Sequence, residues 1–250
     1  MTTIAVLTDP PREGLVLPRL TETSPLTEPE TTDLAVAMLA DTLVAAERSG
    51  GELLVNYRPD DLLPGRFREG EGSAEEEVRD LAASVLDEEP RVEVQVGSTL
   101  SARTGNTITH LLDREEVASA AVVRPNAPFL LRATLDSAAM KLRRSEVVLA
   151  PSTGGRVAFA GFRSPIDFED ALGGLELEIL TGRGVEAGHE VDFLPMLPTV
   201  ETGSDLATLV SMVRARSDAD RIVPGYTAAW VEESGLSVAV EEGEARLVRG

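Results

Sequence analysis

Cysteine is absent from this chain of 250 residues, and histidine and lysine are scarce. Without cysteine, the chain can form neither a disulfide framework nor a thiolate metal site. The two histidines, His110 and His189, lack the spacing to an acid and a serine that would suggest a catalytic triad. We therefore expect both to be structural or exposed. No apolar run approaches the roughly 18 residues of a transmembrane helix, so the sequence predicts no membrane span.

Two common nucleotide-binding motifs are also missing. The sequence contains no Walker loop, and no Gly-x-Gly-x-x-Gly follows a predicted strand. The glycine-rich cluster at 181–184 is interpreted as a flexible connection rather than as a phosphate cradle. Residues 1–6 lack the basic region of a secretory signal, and we therefore expect a cytoplasmic protein.

Positive charge is scarce. The 43 acidic residues outnumber the 23 lysines and arginines, which gives a formal net charge of −20, and Lys141 is the only lysine. Such a field repels phosphate backbones and argues against nucleic-acid binding. Concentrated salt favours an acidic chain that keeps arginine, because counterions screen its self-repulsion. The sequence therefore predicts a halophilic protein, although a GC-rich genome would also favour arginine over lysine.

The first half of the chain alternates short apolar strands with helices. Strands are predicted at 3–7, 53–57, 92–96, 120–123, 147–149 and 157–162. Helices are predicted at about 30–48, 73–86, 105–112 and 130–142. This alternation indicates an α/β fold with a mainly parallel sheet, one antiparallel element and helices on both faces. Ligands bind such sheets at the carboxyl ends of the strands.

The second half is less regular. Strands are predicted at 175–180 and 190–197, with the glycine-rich loop 181–188 between them and a helix at 202–215 after them. The C-terminal part predicts a helix at 227–234 and a β-hairpin made of 236–240 and 245–248. We predict two parts, a main domain at 1–217 and a C-terminal extension at 218–250.

The loop after the first predicted strand carries arginine in an otherwise strongly negative chain. Arg12, Gly14 and Arg19 would lie at the carboxyl edge of the sheet, where guanidinium groups can hold phosphates bidentately. The alternative is ordinary surface ion pairing with Glu13 and Glu22. The loop by itself does not decide between these two interpretations.

Six short segments occur in the order and spacing of one known family. The segments lie at 13–20, 38–43, 95–103, 124–128, 151–155 and 199–206. In the first, Gly14, Arg19 and Leu20 match the family string Pro-Gly-x-x-Lys-Thr-Arg-Leu. On these segments, the chain resembles the nucleotide-diphospho-sugar transferase-like proteins over about residues 3–215. These are relatives of the GT-A glycosyltransferases and are distantly similar to phospholactate guanylyltransferase.

The resemblance implies a GT-A/Rossmann-like sheet and a bound nucleotide or nucleotide sugar. It places the following residues near that ligand: Arg12, Gly14, Arg19, Arg103, Arg124, Asn126, Gly154 and Gly155. It also implies a divalent cation, Mg²⁺ or Mn²⁺, that is held by carboxylates and bridges the phosphates.

The acids that the family uses for this cation are largely replaced. Three of the positions concerned hold no carboxylate, namely Thr99, Asn126 and Gly154. Leu17 stands where the family has lysine, and only Glu201, with Asp205 nearby, remains as a candidate metal ligand. The ligand set is therefore incomplete, and the resemblance identifies no catalytic residue.

Two interpretations follow, and the sequence leaves both open. In the first, a divergent glycosyltransferase or nucleotidyltransferase uses Arg12, Arg19, Arg103 and Arg124 in place of the metal. In the second, the fold is kept without catalysis, and the chain is a binding or scaffold protein.

The C-terminal extension suggests a third interpretation, a pure interaction module. Its exposed strands could pair with a partner or with a second copy of the chain as a homo-oligomer. Trp230 and Tyr226 could anchor that contact. The alternative is that Trp230 packs the extension onto its own domain.

Overall fold

The computed structural model describes residues 1–70, 72–241 and 243–249, within which lie a seven-stranded sheet and a two-stranded hairpin. The strands of the sheet are β1 (Thr2–Thr8), β2 (Glu52–Tyr57), β3 (Arg91–Val94), β4 (Ser119–Val123), β5 (Val147–Pro151), β6 (Val157–Phe162) and β7 (Val191–Phe193). The hairpin consists of β8 (Leu236–Glu241) and β9 (Glu244–Arg249). The α-helices are α1 (Pro18–Thr23), α2 (Glu28–Glu47), α3 (Ala74–Val85), α4 (Leu100–Thr109), α5 (Arg132–Lys141), α6 (Glu176–Glu186), α7 (Gly203–Asp218) and α8 (Gly225–Glu233).

The strands of the central sheet run in the order β3-β2-β1-β4-β6-β5-β7. Only β6 opposes its neighbours in this sheet, since β4 and β5 both pair with it in antiparallel register. The other pairs are parallel. The mainly parallel sheet with one antiparallel element and a C-terminal hairpin, predicted from the sequence, is therefore confirmed.

Both faces of the sheet are buried, as parallel sheets require. In β1, Ile4 and Val6 pack into a cluster with α2, α3 and α5, whereas Ala5 and Leu7 pack into a cluster on the opposite face. That second cluster also includes residues from α4 and α6. The continuous apolar strands of the sequence reflect this burial on two sides.

Local sequence explains where several helices begin. Helices α2, α3 and α7 each start with a capping box, formed by Thr27 with Glu30, Ser73 with Glu76, and Thr202 with Asp205. In each box, the side chain of the first residue accepts the backbone N–H of the acid, whose carboxylate accepts the N–H of the first residue. The predicted start of α3 matches its box, whereas α2 starts slightly earlier than predicted.

The prediction of a strand at 175–180 followed by a loop at 181–188 is wrong, because most of this segment forms α6. Leucines and glutamates alternate there, a pattern that is typical of a half-buried strand. The buried positions Glu176, Leu180 and Gly184 are instead four residues apart, which is the spacing of one face of a helix. A Cβ on Gly184 would lie 2.9 Å from Val191 Cγ2. The glycine therefore lets the helix approach the sheet closely, and the glycine cluster is not a flexible connection.

Two smaller differences concern the predicted loops and the last strand of the sheet. The predicted strand at 190–197 is confined to β7, after which the chain stays irregular until α7. Helix α1 forms in the segment after β1 that was predicted to be a loop, and α4 begins at Leu100, before its predicted start at 105.

Among the residues described, no helix has the length and hydrophobicity needed to cross a bilayer.

The C-terminal extension packs on the outer side of α2 and α7. Val231 of α8 and Leu236 of β8 are buried in a third apolar cluster with Leu34 and Leu209. Trp230 packs against the same cluster, in agreement with the alternative that it holds the extension on its own domain. The extension is therefore part of the packed structure and not a separate tail.

Candidate functional site

A cleft of about 310 Å³ opens at the carboxyl ends of β1 and β4. We call it the first cleft. Its apolar walls come mainly from the loop after β1 and from α2, and they include Leu15, Val16, Leu17, Ala35, Val36, Met38 and Leu39. Its polar lining consists of Thr8, Asp9, Arg19, Gln95, Arg103, Arg124, Asn126 and Glu201. The cleft thus lies at the sheet edge that the predicted fold marks for ligand binding.

The buried side chains of Gln95 and Arg103 line the first cleft together with Asp9, whose side chain is 32% exposed. Arg103 Nε donates to Gln95 Oε1 at 2.7 Å, and Gln95 Nε2 donates to two backbone carbonyls at 3.3 and 2.6 Å. Burial raises the pKa of the Asp9 carboxyl, although the charges of Arg58 and Arg103 oppose this. Burial also lowers the pKa of the Arg103 guanidinium, and the charge of Arg58 adds to the effect. Ionisable groups with perturbed pKa values in a cleft are typical of functional sites.

A second cleft of about 510 Å³ lies beside the first and is mostly polar. It is lined by Arg19, Arg124, Thr153, Gly154, Arg156, Gly173, Gly174, Glu176, Glu201, Thr202, Ser204 and Asp205. Arg19, Arg124 and Glu201 line both clefts. These three side chains therefore mark the boundary at which the two clefts meet.

The Glu201 carboxylate lies among three guanidinium groups from different parts of the chain. Its Oε2 is 3.1 Å from Arg156 Nη1 and 3.4 Å from Arg19 Nη1, and its Oε1 is 3.8 Å from Arg124 Nη1. Asn126 Nδ2 donates to Oε1 at 3.4 Å. We call Arg19, Arg124 and Arg156 the arginine cluster. One carboxylate is thus shared by three cations.

Glu176 is the buried counter-ion of Arg124. Its side chain is 2% exposed, and its two carboxylate oxygens lie 3.0 and 2.8 Å from Arg124 Nη2. The backbone N–H groups of Val157 and Gly173 also donate to it, at 2.9 and 3.2 Å. Both oxygens of Glu176 therefore have fixed partners, and this carboxylate holds Arg124 at the boundary of the clefts.

Asp205 caps the start of α7 and accepts a hydrogen bond from one guanidinium group. Its Oδ2 accepts the backbone N–H groups of Glu201 and Thr202 at 3.1 and 3.0 Å, and the Thr202 hydroxyl at 2.9 Å. Its Oδ1 accepts a hydrogen bond from Arg156 Nη2 at 2.9 Å. Burial opposes the charged form, but the hydrogen bonds from Arg156 and Thr202 outweigh it and lower the pKa of the Asp205 carboxyl. Asp205 is therefore a charged structural residue.

This donor set does not fit the divalent cation that the sequence resemblance implies. Both oxygens of Glu201 face guanidinium groups, and both oxygens of Asp205 accept hydrogen bonds. The remaining donor is Asn126 Oδ1, which is buried and has no hydrogen-bond partner among the residues described. A hard cation prefers several anionic oxygens, and three positive side chains would repel it here.

Comparison with solved structures identifies the architecture. A candidate nucleotide-diphospho-sugar transferase from Desulfovibrio desulfuricans superimposes with a TM-score of 0.72 over 93% of this chain and 94% of its own, at 18% sequence identity. The chain has the nucleotide-diphospho-sugar transferase fold. The resemblance found in the six sequence segments is thereby confirmed at the level of the fold.

Two further proteins share the transferase fold more distantly. A cytidylyltransferase from Leptospira borgpetersenii gives a TM-score of 0.50 at 12% identity and covers 93% of this chain and 92% of its own. A 4-diphosphocytidyl-2C-methyl-D-erythritol synthase from Anaerococcus prevotii gives the same TM-score and identity, over 85% of this chain and 96% of its own. No family model and no curated protein matches the sequence.

Among the residues proposed from the sequence, Arg12 lies outside both clefts of the transferase fold. Its guanidinium is 8% exposed, pairs with Asp60 at 2.8 Å and Glu77 at 2.9 Å, and donates to the Phe67 carbonyl. It therefore ties the loop after β1 to α3 and to the segment before it. Gly14 also lies outside the clefts, and its φ of +71° favours glycine in this loop.

Five of the other proposed residues come together at the clefts, whereas Gly155 lines neither of them. Arg19, Arg103, Arg124 and Asn126 line the first cleft, and Gly154 lines the second. Gly154 and Gly155 have φ values of +68° and +74°, which suit glycine in the tight turn between β5 and β6. Leu17, at the family's lysine position, lines the first cleft in the left-handed region, with φ of 48°. This backbone conformation is strained for a bulky side chain.

Sequence reasoning missed Asp9, Arg156 and Glu176. Asp9 reads as turn chemistry, Glu176 lies in the segment misread as a strand, and Arg156 directly follows the matching segment 151–155. Arg156 reaches this edge because β6 runs antiparallel, so that its first residue lies beside the last residue of β5. The position of loop 151–155 was the one signal that could have drawn attention to Arg156.

The histidines lie away from the two clefts. His189 Nε2 lies 3.3 Å from the Pro165 carbonyl, and His110 Nε2 lies 3.1 Å from Glu115. In the described part of the chain, the one group with metal-ligand geometry is Glu93, His110 and Glu115. Arg91 already binds both of its carboxylates, so this group is an ion-pair network.

Proposed function

We propose that this protein is a transferase-like protein that binds a nucleotide or a nucleotide sugar. The nucleoside lies in the first cleft, the phosphates lie against the arginine cluster, and the sugar or acceptor lies in the second cleft. The observation that carries this proposal is the meeting of an apolar cleft and a polar cleft at Arg19 and Arg124.

The lining of the first cleft supports a nucleoside as the occupant. Ligand sites of this kind combine apolar walls with a few placed polar groups, and their volumes start near about 300 Å³. Here the lining also holds Asp9 and Asn126, whose carboxylate and free Oδ1 are acceptors for the donors of a base or a ribose. The cleft of about 310 Å³ is large enough for part of such a ligand.

Charge supports an anionic group at the boundary of the clefts. The chain carries a net charge of −20, yet Arg19, Arg103, Arg124 and Arg156 gather at this one edge of the sheet. Positive groups in a cleft attract anions locally even when the whole protein is acidic. Phosphate oxygens match the planar fork of arginine.

The solved structures add support for the class of ligand. Three solved structures that share the fold at a TM-score of 0.50 or above are a candidate nucleotide-diphospho-sugar transferase, a cytidylyltransferase and a 4-diphosphocytidyl-2C-methyl-D-erythritol synthase. The names of all three refer to nucleotide chemistry. This likeness of fold supports a nucleotide as the ligand of this chain.

A non-catalytic binding or scaffold protein on the same fold is the second candidate. The observation that favours it is the pairing of every carboxylate at the arginine cluster. Glu176, Glu201 and Asp205 all pair with guanidinium groups, so none of the three is placed to act as a base.

An assay for turnover separates the two candidates. Release of pyrophosphate or of nucleoside phosphate in the presence of acceptor favours the transferase, and binding without release favours the scaffold.

The binding proposal is tested by filling the first cleft. Ala35 lines the cleft from α2, so Ala35→Phe should obstruct the nucleoside and weaken binding about tenfold or more, a loss of roughly 1.4 kcal/mol. Thermal shift with nucleoside diphosphates, triphosphates and nucleotide sugars measures this. Ala229→Phe, on the exposed side of α8, makes the same change away from the clefts and should bind like the unchanged protein. If no nucleotide shifts the melting temperature of the unchanged protein, the proposal is wrong.

A further inference from the structure

The arginine cluster has the geometry of a site for an anion, and a side chain of this protein occupies it. Glu201 Oε2 lies 3.1 Å from Arg156 and 3.4 Å from Arg19. A phosphate oxygen can pair with the same guanidinium groups, at distances of about 2.7 to 2.9 Å. Arg19 comes from α1, Arg124 from the end of β4, and Arg156 from the start of β6. Three separate segments thus place their guanidinium groups around one carboxylate.

Two of the three guanidinium groups already have their own counter-ions. Arg124 pairs with Glu176 at 2.8 Å, and Arg156 pairs with Asp205 at 2.9 Å. Arg19 pairs only with Glu201 among the described residues, and its side chain is 66% exposed. Glu201 is therefore the anion that completes the charge balance of the cluster, and Arg19 has room to reorient toward a ligand.

Glu201 is also the carboxylate with the weakest attachments. Glu176 and Asp205 accept backbone N–H groups, whereas the contacts of the Glu201 carboxylate are to side chains, at 3.1 to 3.8 Å. A ligand that offers more negative charge can replace such contacts. Rotation of the Glu201 side chain would leave the fold unchanged, because no backbone group depends on its carboxylate.

We propose that Arg19, Arg124 and Arg156 bind the diphosphate of the ligand without a divalent cation, and that Glu201 occupies their centre until the diphosphate displaces it. This inference rests on the proposed function for the identity of the ligand. Glu201, which the sequence resemblance left as a candidate metal ligand together with Asp205, acts here as an internal competitor of the ligand. The affinity for diphosphate is then limited by Glu201 and is independent of Mg²⁺.

Removal of the Glu201 charge should change the affinity for pyrophosphate in opposite directions under this proposal and under a metal site. Glu201→Gln removes the competing charge and should bind inorganic pyrophosphate about tenfold more tightly, because one unit of repulsion is lost. If Glu201 held a cation that bridges to the phosphates, the same substitution would weaken binding. Arg19→Gln should weaken binding about fivefold through loss of one charge-assisted contact.

The experiment is isothermal titration calorimetry of the full chain with inorganic pyrophosphate, in EDTA and with excess Mg²⁺. We expect binding in EDTA, no gain in affinity with Mg²⁺, and the order Glu201→Gln, unchanged protein, Arg19→Gln from tightest to weakest. Glu88→Gln and Arg144→Gln change the same charges at exposed positions outside the clefts and should bind like the unchanged protein. Far-UV circular dichroism confirms that each variant is folded.

Two results would overturn the proposal. The first is binding that requires Mg²⁺, and the second is weaker binding by Glu201→Gln than by the unchanged protein. Parallel titrations with nucleoside diphosphates separate this inference from the proposed function. If pyrophosphate behaves as expected and nucleotides do not bind, the nucleotide proposal fails while the anion site stands. If neither binds, both fail.

Discussion

At the scale of single residues, the site is organised by one buried acid. Glu176 is 1% exposed and receives two backbone N–H groups as well as Arg124. Burying a carboxylate without a counter-ion is costly, so Glu176 and Arg124 depend on each other. The pair fixes where Arg124 stands and hence where the two clefts meet.

We expect Glu176→Gln to lower the free energy of unfolding by about 2 to 3 kcal/mol. This is less than the cost of breaking a fully buried pair, because Arg124 keeps partial access to solvent. The amide would also place a donor where two backbone N–H groups need an acceptor. Urea denaturation measures the effect, with the exposed Glu178→Gln on the same helix as the control, expected within about 0.5 kcal/mol. Equal stability of the two variants would contradict the structural role of the pair.

At the scale of elements, the C-terminal extension is held by α2. Asp41 Oδ1 accepts the backbone N–H of Tyr226 at 3.0 Å, and its Oδ2 accepts that of Thr227 at 2.7 Å. An acid of α2 therefore caps α8 from outside that helix, although burial raises the pKa of the Asp41 carboxyl. Asp41, which lies in the matching segment 38–43, thus has a structural role in this chain.

We expect Asp41→Ala to destabilise the docking of α8 by about 1 to 2 kcal/mol, the usual cost of losing an N-cap. The fluorescence of Trp230, the only tryptophan of the chain, reports this docking directly. Its transition should precede the loss of helical circular dichroism in urea. Asp33→Ala, exposed on the same helix, should keep the two transitions together. Coincident transitions in Asp41→Ala would show that Asp41 does not control the extension.

At the scale of the whole molecule, the net charge of −20 predicts a stability that depends on salt. Self-repulsion of like charge destabilises a compact chain and is screened by salt. The ion pairs of the arginine cluster are partly buried and are screened less than exposed charges. Salt should therefore relieve the repulsion while leaving the site intact.

We expect the melting temperature to rise by about 5 °C or more from dilute buffer to molar KCl, the shift that roughly 2 kcal/mol produces at this size. Because the Debye length falls to about 3 Å at 1 M, a screening effect should be almost complete by that concentration. Differential scanning calorimetry over a series of KCl concentrations measures it. A flat or falling curve would contradict the prediction of a halophilic protein.

Much of the fold follows from the sequence, because burial leaves a local pattern. Apolar runs that are buried on two sides predicted the parallel sheet, and the helix predicted from residue 73 does begin at the capping box of Ser73. The pattern failed at 175–180, where alternating leucine and glutamate suit a strand, yet the sheet buries a glutamate and a glycine on one face of a helix. Local periodicity could not anticipate a buried carboxylate on a helix whose partner, Arg124, lies at the end of β4.

By itself, the sequence determined the class of fold, the acidic character and the edge of the sheet where a site would form. Only the tertiary structure decided which arginines gather at that edge. Arg12 and Arg156 are alike in sequence terms, but the chain pairs Arg12 with Glu77 and brings Arg156 to Glu201. The partners in the arginine cluster are 45 to 182 residues apart along the chain. Charge pairing carries no local signal at such distances, so only the packed sheet and its antiparallel β6 could determine it.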